Sequence, residues 1–198
     1  MKIAGAIIAG GRSSRMGGVE KIFLEIGGKP ILDRIVARLA PHVDRLVINA
    51  NGDASRFAQS GLAVLPDLRT NIATPLAGLH ASLHWAARNG FDRLLTVPAD
   101  TPFLPRDLMQ KLSTGSHDAV IAASGGQKHF LTGLWATSLL PVLENALNGE
   151  GLFRVKDWAA KADAATVEWP VSLFDPFFNV NTPEHLAEAA HIAAEFDP

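Results

Sequence analysis

The chain has no cysteine among its 198 residues. That absence excludes disulfide bonds, thiolate metal sites and a cysteine nucleophile, and it fits a reducing compartment. Long apolar runs are missing too. No stretch approaches the roughly 18 apolar residues of a membrane helix, and the apolar start at residues 1–11 is too short for a signal peptide. We therefore expect a cytoplasmic protein with no membrane partner.

An excess of either charge is also absent. The 18 lysines and arginines nearly balance the 20 acidic residues, for a net charge of −2. This balance indicates neither a nucleic-acid binder nor a membrane-surface binder, so a site for an anionic ligand must be local. Hydrophobic residues make up 47% and charged residues 19%, which is typical of a globular protein. The length predicts one domain over residues 1–198.

Short apolar strands alternate with helical patterns along most of the chain. Strands are predicted at 3–9, 45–49, 62–66, 93–98, 118–123 and 130–135, and helices at 30–39, 76–88, 105–112, 138–148, 151–161 and from Pro183 onward. Residues 176–181 are predicted as a short strand or a loop. This alternation predicts an α/β fold: a three-layer α/β/α sandwich with a mostly parallel, Rossmann-like sheet. Such sheets bind ligands at the carboxyl ends of their strands.

A glycine-rich loop directly follows the first predicted strand. Residues 9–21 read A-G-G-R-S-S-R-M-G-G-V-E-K, so Arg12, Arg15 and Lys21 lie close together among glycines. Glycines let backbone N–H groups turn toward a phosphate, and the three cations suit a triphosphate. The loop is neither a Walker A motif nor G-x-G-x-x-G. The alternative is an ordinary glycine-rich turn with solvated arginines.

Asp100 follows the buried strand predicted at 93–98. A carboxylate at that end of the sheet would lie near the glycine loop, where it could bind Mg²⁺ together with phosphate oxygens. The alternative is that Asp100 only caps the helix predicted at 105–112 or a turn, because D-T-P is also a turn sequence.

Five segments in order resemble the MobA-like NTP transferases. They are the loop at 9–21, P-L-A-G at 75–78, V-P-A-D-T-P-F-L-P at 97–105, G-L-W at 133–135 and F-x-N-x-N-T-P-E at 177–184. The resemblance spans about residues 3–190. The chain departs from the family at Glu20, where the family has Asp, and at His129-Phe130, where it has His-Pro with another spacing. The second departure puts a pterin-side role of His129 in doubt.

The resemblance implies a fold of the nucleotide-diphospho-sugar transferase type and a defined activity. GMP passes from GTP to the terminal phosphate of molybdenum-bound molybdopterin, and pyrophosphate is released. The implied cofactor is Mg²⁺, and the candidate protein partners are cofactor-delivery proteins and molybdoenzymes.

The same resemblance assigns the site residues. Nucleotide binding is implied for Ile8, Ala9, Gly10, Gly11, Lys21, Asn49, Asp67 and Asp100. The predicted catalytic residues are Lys21, Arg15 and Asp100, and Asp100 is also the metal ligand. Asn179 and Asn181 are predicted on the acceptor side. Considered alone, Asn49 and Asp67 are ordinary polar residues at strand ends, and the two other asparagines could simply precede an N-cap at Thr182.

Other interpretations stay open at this stage. Cytidylyltransferases of this group tend to have A-A-G where this chain has Ala9-Gly10-Gly11, which favours GTP over CTP. A silent nucleotide- or cofactor-carrier module is a further alternative, although Lys21 and Asp100 argue against it. His80 and His84 have a zinc-compatible spacing but no evident third ligand, so we expect both on a solvated helix face.

Overall fold

The protein is described from a computed structural model, which covers residues 1–10, 15–16, 19–69, 74–149, 151 and 153–196. Its first strand is β1, Ile3–Ile8. Two small hairpins follow, β2 (Arg15–Met16) with β3 (Val19–Glu20) and β4 (Glu25–Ile26) with β5 (Lys29–Pro30). The later strands are β6 (Arg45–Asn49), β7 (Ala63–Leu65), β8 (Arg93–Pro98), β9 (Ala119–Ser124), β10 (Gln127–Ala136) and β11 (Ala165–Trp169).

The main sheet has seven strands in the order β11-β9-β10-β8-β1-β6-β7. Every pairing within it is parallel except the two made by β10. β10 runs back along β9 because Gly125 and Gly126 join the two strands with φ values of 54° and 77°, which a tight hairpin turn requires. The predicted mostly parallel sheet is confirmed.

Within the described residues, six α-helices cover the two faces of the sheet. They are α1 (Ile31–Leu39), α2 (Pro75–Arg88), α3 (Leu108–Leu112), α4 (Leu140–Gly149), α5 (Val155–Lys161) and α6 (Pro183–Phe196). Buried residues of α1, α3 and α6 pack in one core, and those of α2, α4 and α5 pack in another. The predicted three-layer α/β/α sandwich is therefore confirmed.

β1 shows why the central strands are apolar throughout. Ala4, Ala6 and Ile8 face the core that contains α2, whereas Ile7 faces the core that contains α1. Side chains alternate between the two faces of a strand, so a strand covered on both sides has no polar face.

Some element predictions need correction. The strand β11 was not predicted; it is a five-residue edge strand whose Thr166 and Glu168 are exposed, so it lacks the apolar run of the central strands. The helices predicted at 105–112 and 151–161 begin later, at Leu108 and Val155. Residues 176–181 form a loop.

The last helix begins where its cap was predicted. Thr182 Oγ1 accepts a hydrogen bond of 3.3 Å from the backbone N–H of His185, the third residue of α6. Within the described part of the chain, no helix combines the length and the apolar character needed to cross a membrane.

Candidate active site at the carboxyl edge of the sheet

The glycine loop leaves the sheet between two neighbouring strands. β1 lies between β6 and β8, and the backbone contacts continue one residue beyond it. Ala9 N–H donates to Asn49 O at 2.8 Å, and Ala99 N–H donates to Ile8 O at 3.1 Å. Gly10 therefore lies at the middle of the carboxyl edge, flanked by the residues that follow β6 on one side and β8 on the other. This is the topological switch point at which such sheets bind ligands.

On the β6 side, three polar residues form one hydrogen-bonded group, here called the Asp67 cluster: Asn49, Asn51 and Asp67. Asn49 Nδ2 donates to Asp67 Oδ1 at 2.9 Å and to Leu65 O at 3.1 Å. Asn51 Nδ2 donates to Asp67 Oδ2 at 2.7 Å, and Asp67 N–H donates back to Asn51 Oδ1 at 2.9 Å. The structure thus brings together Asn49 and Asp67, which were both predicted at the nucleotide.

Two glycines pack against this cluster because a side chain would not fit. A Cβ atom on Gly78 would overlap Asn49 Oδ1 and lie 2.9 Å from both Asn49 Cγ and Ile8 Cγ2. A Cβ atom on Gly10 would lie 3.3 Å from Asn49 Oδ1. The glycine of P-L-A-G therefore lets α2 approach Asn49. Asn49 itself is fully buried, and its Oδ1 accepts no hydrogen bond from the described residues.

On the β8 side, Lys21, Asp100 and Asn181 lie together. Lys21 begins a single 3₁₀ turn, Lys21–Phe23, and its side chain is buried. Its Nζ donates to Asn181 Oδ1 at 2.8 Å, across 160 residues of sequence. Asp100 O accepts a 2.8 Å hydrogen bond from Val180 N–H, the residue just before Asn181. The loop before α6 is thereby held against the end of β8.

Asp100 has the electrostatics of a metal ligand. Burial raises the pKa of its carboxyl, although the positive charge of Lys21 acts in the opposite direction. Its Oδ1 is buried and without a hydrogen-bond partner in the described part of the chain. A buried carboxylate that protein donors leave unsatisfied fits a divalent cation, which prefers oxygen ligands. Asp100 does not cap the helix, because α3 begins at Leu108 after Asp107, but it does lie in a turn after β8, as the alternative allowed.

Two residues of the site were missed in the sequence, Asn51 of the Asp67 cluster and Arg56. Arg56 Nη1 lies 2.8 Å from Glu20 Oε1, and Arg56 Nη2 donates to Asn51 O. Arg56 therefore connects the residue before Lys21 to the Asp67 cluster. The departure at Glu20 was the only available signal, and it did not identify a partner 36 positions away.

One predicted residue, Asn179, does not join these groups, and others lie outside the described residues. Asn179 is exposed, and no hydrogen bond of its side chain is described. Gly11 and the side chain of Arg15 lie outside the described residues, as does Arg12. The backbone of Arg15 pairs with Glu20 in the β2–β3 hairpin.

His129 belongs to a part-buried hydrogen-bonded chain beside the loop that precedes α6. Ser124 Oγ donates to Asp175 Oδ1 at 2.7 Å and lies 2.7 Å from His129 Nε2. Since the serine proton goes to Asp175, the imidazole is the donor to Ser124. Burial lowers the pKa of His129, against the opposing effect of Asp175 and Glu168. The chain ties residue 175 to the sheet and thereby steadies the loop that carries Asn181.

The expectation that His80 and His84 lie on a solvated face is wrong for His80. Its side chain is buried, 3.6 Å from Glu144 Oε1 of α4. The reason is that α2 packs under α4 as well as on the sheet, so two of its sides are covered. Among the described residues, no group of three or more potential ligands could hold a metal ion.

Comparison with known proteins agrees with this geometry. The MobA-like NTP transferase domain model matches residues 5–165. A molybdenum cofactor guanylyltransferase of Bradyrhizobium sp. (strain ORS 278) is 45% identical, over 98% of this chain and 95% of that protein. One from Nitrobacter hamburgensis is 43% identical, over 96% of this chain and 94% of that protein.

Solved structures share the fold across nearly the whole chain. Molybdopterin-guanine dinucleotide biosynthesis protein A of Archaeoglobus fulgidus superposes with a TM-score of 0.72 at 23% identity, covering 99% of this chain and 100% of that one. Rv0371C of Mycobacterium tuberculosis H37Rv, solved in complex with manganese, gives 0.69 at 15% identity, covering 96% and 99%. From the family model and the full-length relatives together, this protein belongs to the MobA-like NTP transferase family.

Proposed function

We infer that this protein is a nucleotidyltransferase that transfers GMP from GTP to the terminal phosphate of molybdenum-bound molybdopterin. Relatives with the name molybdenum cofactor guanylyltransferase match it over almost their full length. The structural observation that carries the inference is that the charge of the buried Lys21 acts on Asp100, a half-buried residue at the end of β8 whose buried Oδ1 has no hydrogen-bond partner among the described residues.

The two groups of polar residues suggest how GTP lies in the site. Phosphates belong on the Lys21 and Asp100 side, where the lysine supplies positive charge and Asp100 can share a cation with them. The Asp67 carboxylate would repel a phosphate, so the cluster suits the base or the ribose. Gly10 lies between the two groups, which gives the nucleotide a path across the strand ends.

The acceptor explains why no general base is required. A phosphate monoester has a second pKa of about 6, so its terminal oxygen is already a nucleophile at neutral pH. That oxygen attacks the α-phosphorus of GTP, and the bond from this phosphorus to the bridging oxygen of pyrophosphate breaks. The protein has to align the two phosphates and offset their repulsion.

Lys21 and Asn181 act together in this step. Lys21 Nζ is oriented by Asn181 Oδ1, which leaves its other N–H donors for phosphate oxygens. Mg²⁺ held by Asp100 and phosphate oxygens would stabilise the charge that develops on the departing pyrophosphate. Asn179 and Asn181 lie on the loop that the acceptor would approach.

Product analysis tests the activity. The protein is incubated with Mg²⁺, molybdenum-loaded molybdopterin and either GTP or CTP, and dinucleotide and pyrophosphate are measured. We expect the guanine dinucleotide with GTP and much less product with CTP. A cytosine product in excess would make the protein a cytidylyltransferase instead, and nucleotide binding without any product would favour a carrier module.

Lys21 should matter more to the transition state than to binding, because charge moves to the bridging oxygen as pyrophosphate leaves. Lys21→Ala is expected to lower kcat by at least about 100-fold, or roughly 2.7 kcal/mol. Lys29→Ala, at an exposed position of β5, is the matched control and should leave kcat unchanged. An effect confined to the KM for GTP would show that Lys21 only binds substrate.

A further inference from the structure

Asn51 makes a reciprocal contact with a single residue. The side-chain Nδ2 of Asn51 donates to Asp67 Oδ2 at 2.7 Å, and its side-chain Oδ1 accepts a hydrogen bond from the Asp67 backbone N–H at 2.9 Å. Because Asn51 binds both the main chain and the carboxylate of Asp67, it fixes the side-chain torsions of Asp67. Asn49 adds a hydrogen bond to the other carboxylate oxygen at 2.9 Å. The plane of the carboxylate is therefore set by two amides.

The two asparagines differ in where they lie. Asn49 is fully buried under Gly10 and against Gly78, whereas Asn51 is exposed at the edge of the sheet. A Cβ atom on Gly10 would lie 3.8 Å from Asn51 Nδ2 and 3.9 Å from Asp67 Oδ2. These are van der Waals distances, so Gly10 lies directly beside the two polar atoms at the edge of the sheet where the glycine loop begins.

The charge of the site limits what that ligand can be. In the described part of the chain, no lysine, arginine or histidine forms an ion pair with Asp67, so its hydrogen bonds come only from neutral amide groups. Each carboxylate oxygen keeps further acceptor capacity after one hydrogen bond. Two such oxygens side by side suit a ligand with two neighbouring N–H donors, and guanine offers N1–H and its 2-amine in that arrangement.

We propose that Asn51 is the positioning residue for guanine selectivity: it holds the Asp67 carboxylate in the plane that receives N1–H and the 2-amine of the base. This inference rests on the proposed function only in taking GTP as the nucleotide. Asn51 acts through Asp67 and does not itself contact the reacting phosphates. Arg56 supports it by donating to the backbone carbonyl oxygen of Asn51.

Nucleotide binding without acceptor tests the proposal. Calorimetry in the presence of Mg²⁺ gives the Kd of the full chain for GTP, ITP and 2′-deoxyGTP; ITP lacks the 2-amine, and 2′-deoxyGTP lacks one ribose hydroxyl. The wild-type protein should bind GTP at least about tenfold more tightly than ITP, since losing one donor leaves a buried acceptor unpaired. Asn51→Ala should reduce this GTP-to-ITP ratio to about one-fold to threefold and leave the GTP-to-deoxyGTP ratio unchanged.

Two further variants complete the design. Asn51→Asp keeps the acceptor for the Asp67 N–H but loses the amide donor, so it should lower the GTP-to-ITP ratio as well. Asn89→Ala is the matched control; its side chain donates only to Trp85 O at the end of α2, and both ratios should stay at wild-type values. Equal weakening of all three nucleotides in Asn51→Ala would overturn the proposal, because that is the result of a purely structural role.

Other outcomes are equally decisive. A wild-type protein that binds GTP and ITP alike would overturn the proposal, and so would a loss of the GTP-to-deoxyGTP ratio in the variant, which would place Asp67 at the ribose. If the wild type forms no dinucleotide with molybdopterin but the GTP-to-ITP ratio falls in both variants, the proposed function fails and the role of Asn51 stands.

Discussion

Asp100 illustrates a conflict between stability and function at a single residue. Burial raises the pKa of its carboxyl, so the ionised form is less favourable in the folded protein than in the unfolded chain. The raised pKa of Asp100 therefore lowers the free energy of unfolding at neutral pH when no cation is bound. Metal ligands often show this conflict, because the group that binds the cation is poorly satisfied without it.

Replacing Asp100 should separate the two properties. Asp100→Asn is expected to abolish turnover while the Tm of the metal-free protein stays equal to or above that of the wild type. Differential scanning calorimetry with and without Mg²⁺ and GTP measures the Tm of both proteins. The part of the ligand-induced rise in Tm that depends on Mg²⁺ should occur only in the wild type. Asp107→Asn, which breaks a 3.1 Å ion pair with Lys111, is the control and should keep turnover. A variant of Asp100 with near-normal activity would remove it as the metal ligand.

Gly78 is a residue at which a single methyl group should be harmful. Its Cβ would overlap Asn49 Oδ1, and Asn49 is fully buried and hydrogen-bonded to Leu65 and Asp67. Gly78→Ala is expected to destabilise the protein by about 1–3 kcal/mol and to weaken GTP binding, because Asn49 holds Asp67.

Gly149→Ala is the matched control for Gly78. It lies at the end of α4 with no atom within 4 Å of a built Cβ, so alanine should stabilise the fold by up to about 1 kcal/mol. Chemical denaturation measures both variants. A harmless Gly78→Ala would mean that α2 can shift away from the sheet.

At the scale of elements, Arg56 joins two segments that the sheet alone does not hold together. It pairs with Glu20 at the end of the β2–β3 hairpin and with Asn51 after β6. The Glu20 and Arg56 side chains are 16% and 27% exposed, so solvent screens the pair only in part. Glu20, which stands where the family has Asp, is thus held by an ion pair with Arg56 in this chain.

A double-mutant cycle can measure the connection. Glu20→Gln and Arg56→Gln should each weaken GTP binding, and the double variant should be little worse than Arg56→Gln alone, with a coupling of at least about 0.5 kcal/mol. Arg88→Gln, at the exposed end of α2, should have no effect. If the effects of the two substitutions on GTP binding are additive, the ion pair does not couple the glycine loop to the Asp67 cluster.

At the scale of the whole molecule, two histidines make stability depend on pH, the buried His80 and the half-buried His129. Burial lowers the pKa of His80, as does the charge of Arg69, while Glu144 opposes the shift and His84 adds to it. Burial also lowers the pKa of His129. Below about pH 6.5, the ordinary pKa of histidine, the unfolded chain takes up protons that the folded chain resists, so stability falls as the pH falls through this range.

The Tm should therefore fall between pH 7.5 and pH 5.5, and His80→Leu should reduce that fall because it removes one of the two groups. His42→Gln, at an exposed position, is the control and should retain the wild-type fall. Differential scanning calorimetry at the two pH values provides the data. An unchanged pH dependence in His80→Leu would mean that His80 does not carry the effect.

The arrangement of the two hydrophobic cores is also a feature of the whole molecule. The two cores lie on opposite faces of one sheet and share its strands. That residues 1–198 form one domain stays a prediction.

The amino-acid sequence by itself determined the layers and the location of the site. Apolar runs such as 3–9 and 93–98 can be buried only between two helical layers, and glycines after the first strand together with Asp100 after another identify the carboxyl edge. Periodicity is a local property, so these features are visible without the fold. β11 was missed because an edge strand with one exposed face has no apolar run.

Only the tertiary structure decided which residues act together. The contact of Lys21 with Asn181 spans 160 positions, and those of Arg56 with Glu20 and of Asn51 with Asp67 follow from the packing of loops at the sheet edge. The burial of His80 likewise depends on α4, which lies far along the chain. A local pattern carries no information on such pairs, because the strand order and the loop paths set which side chains meet.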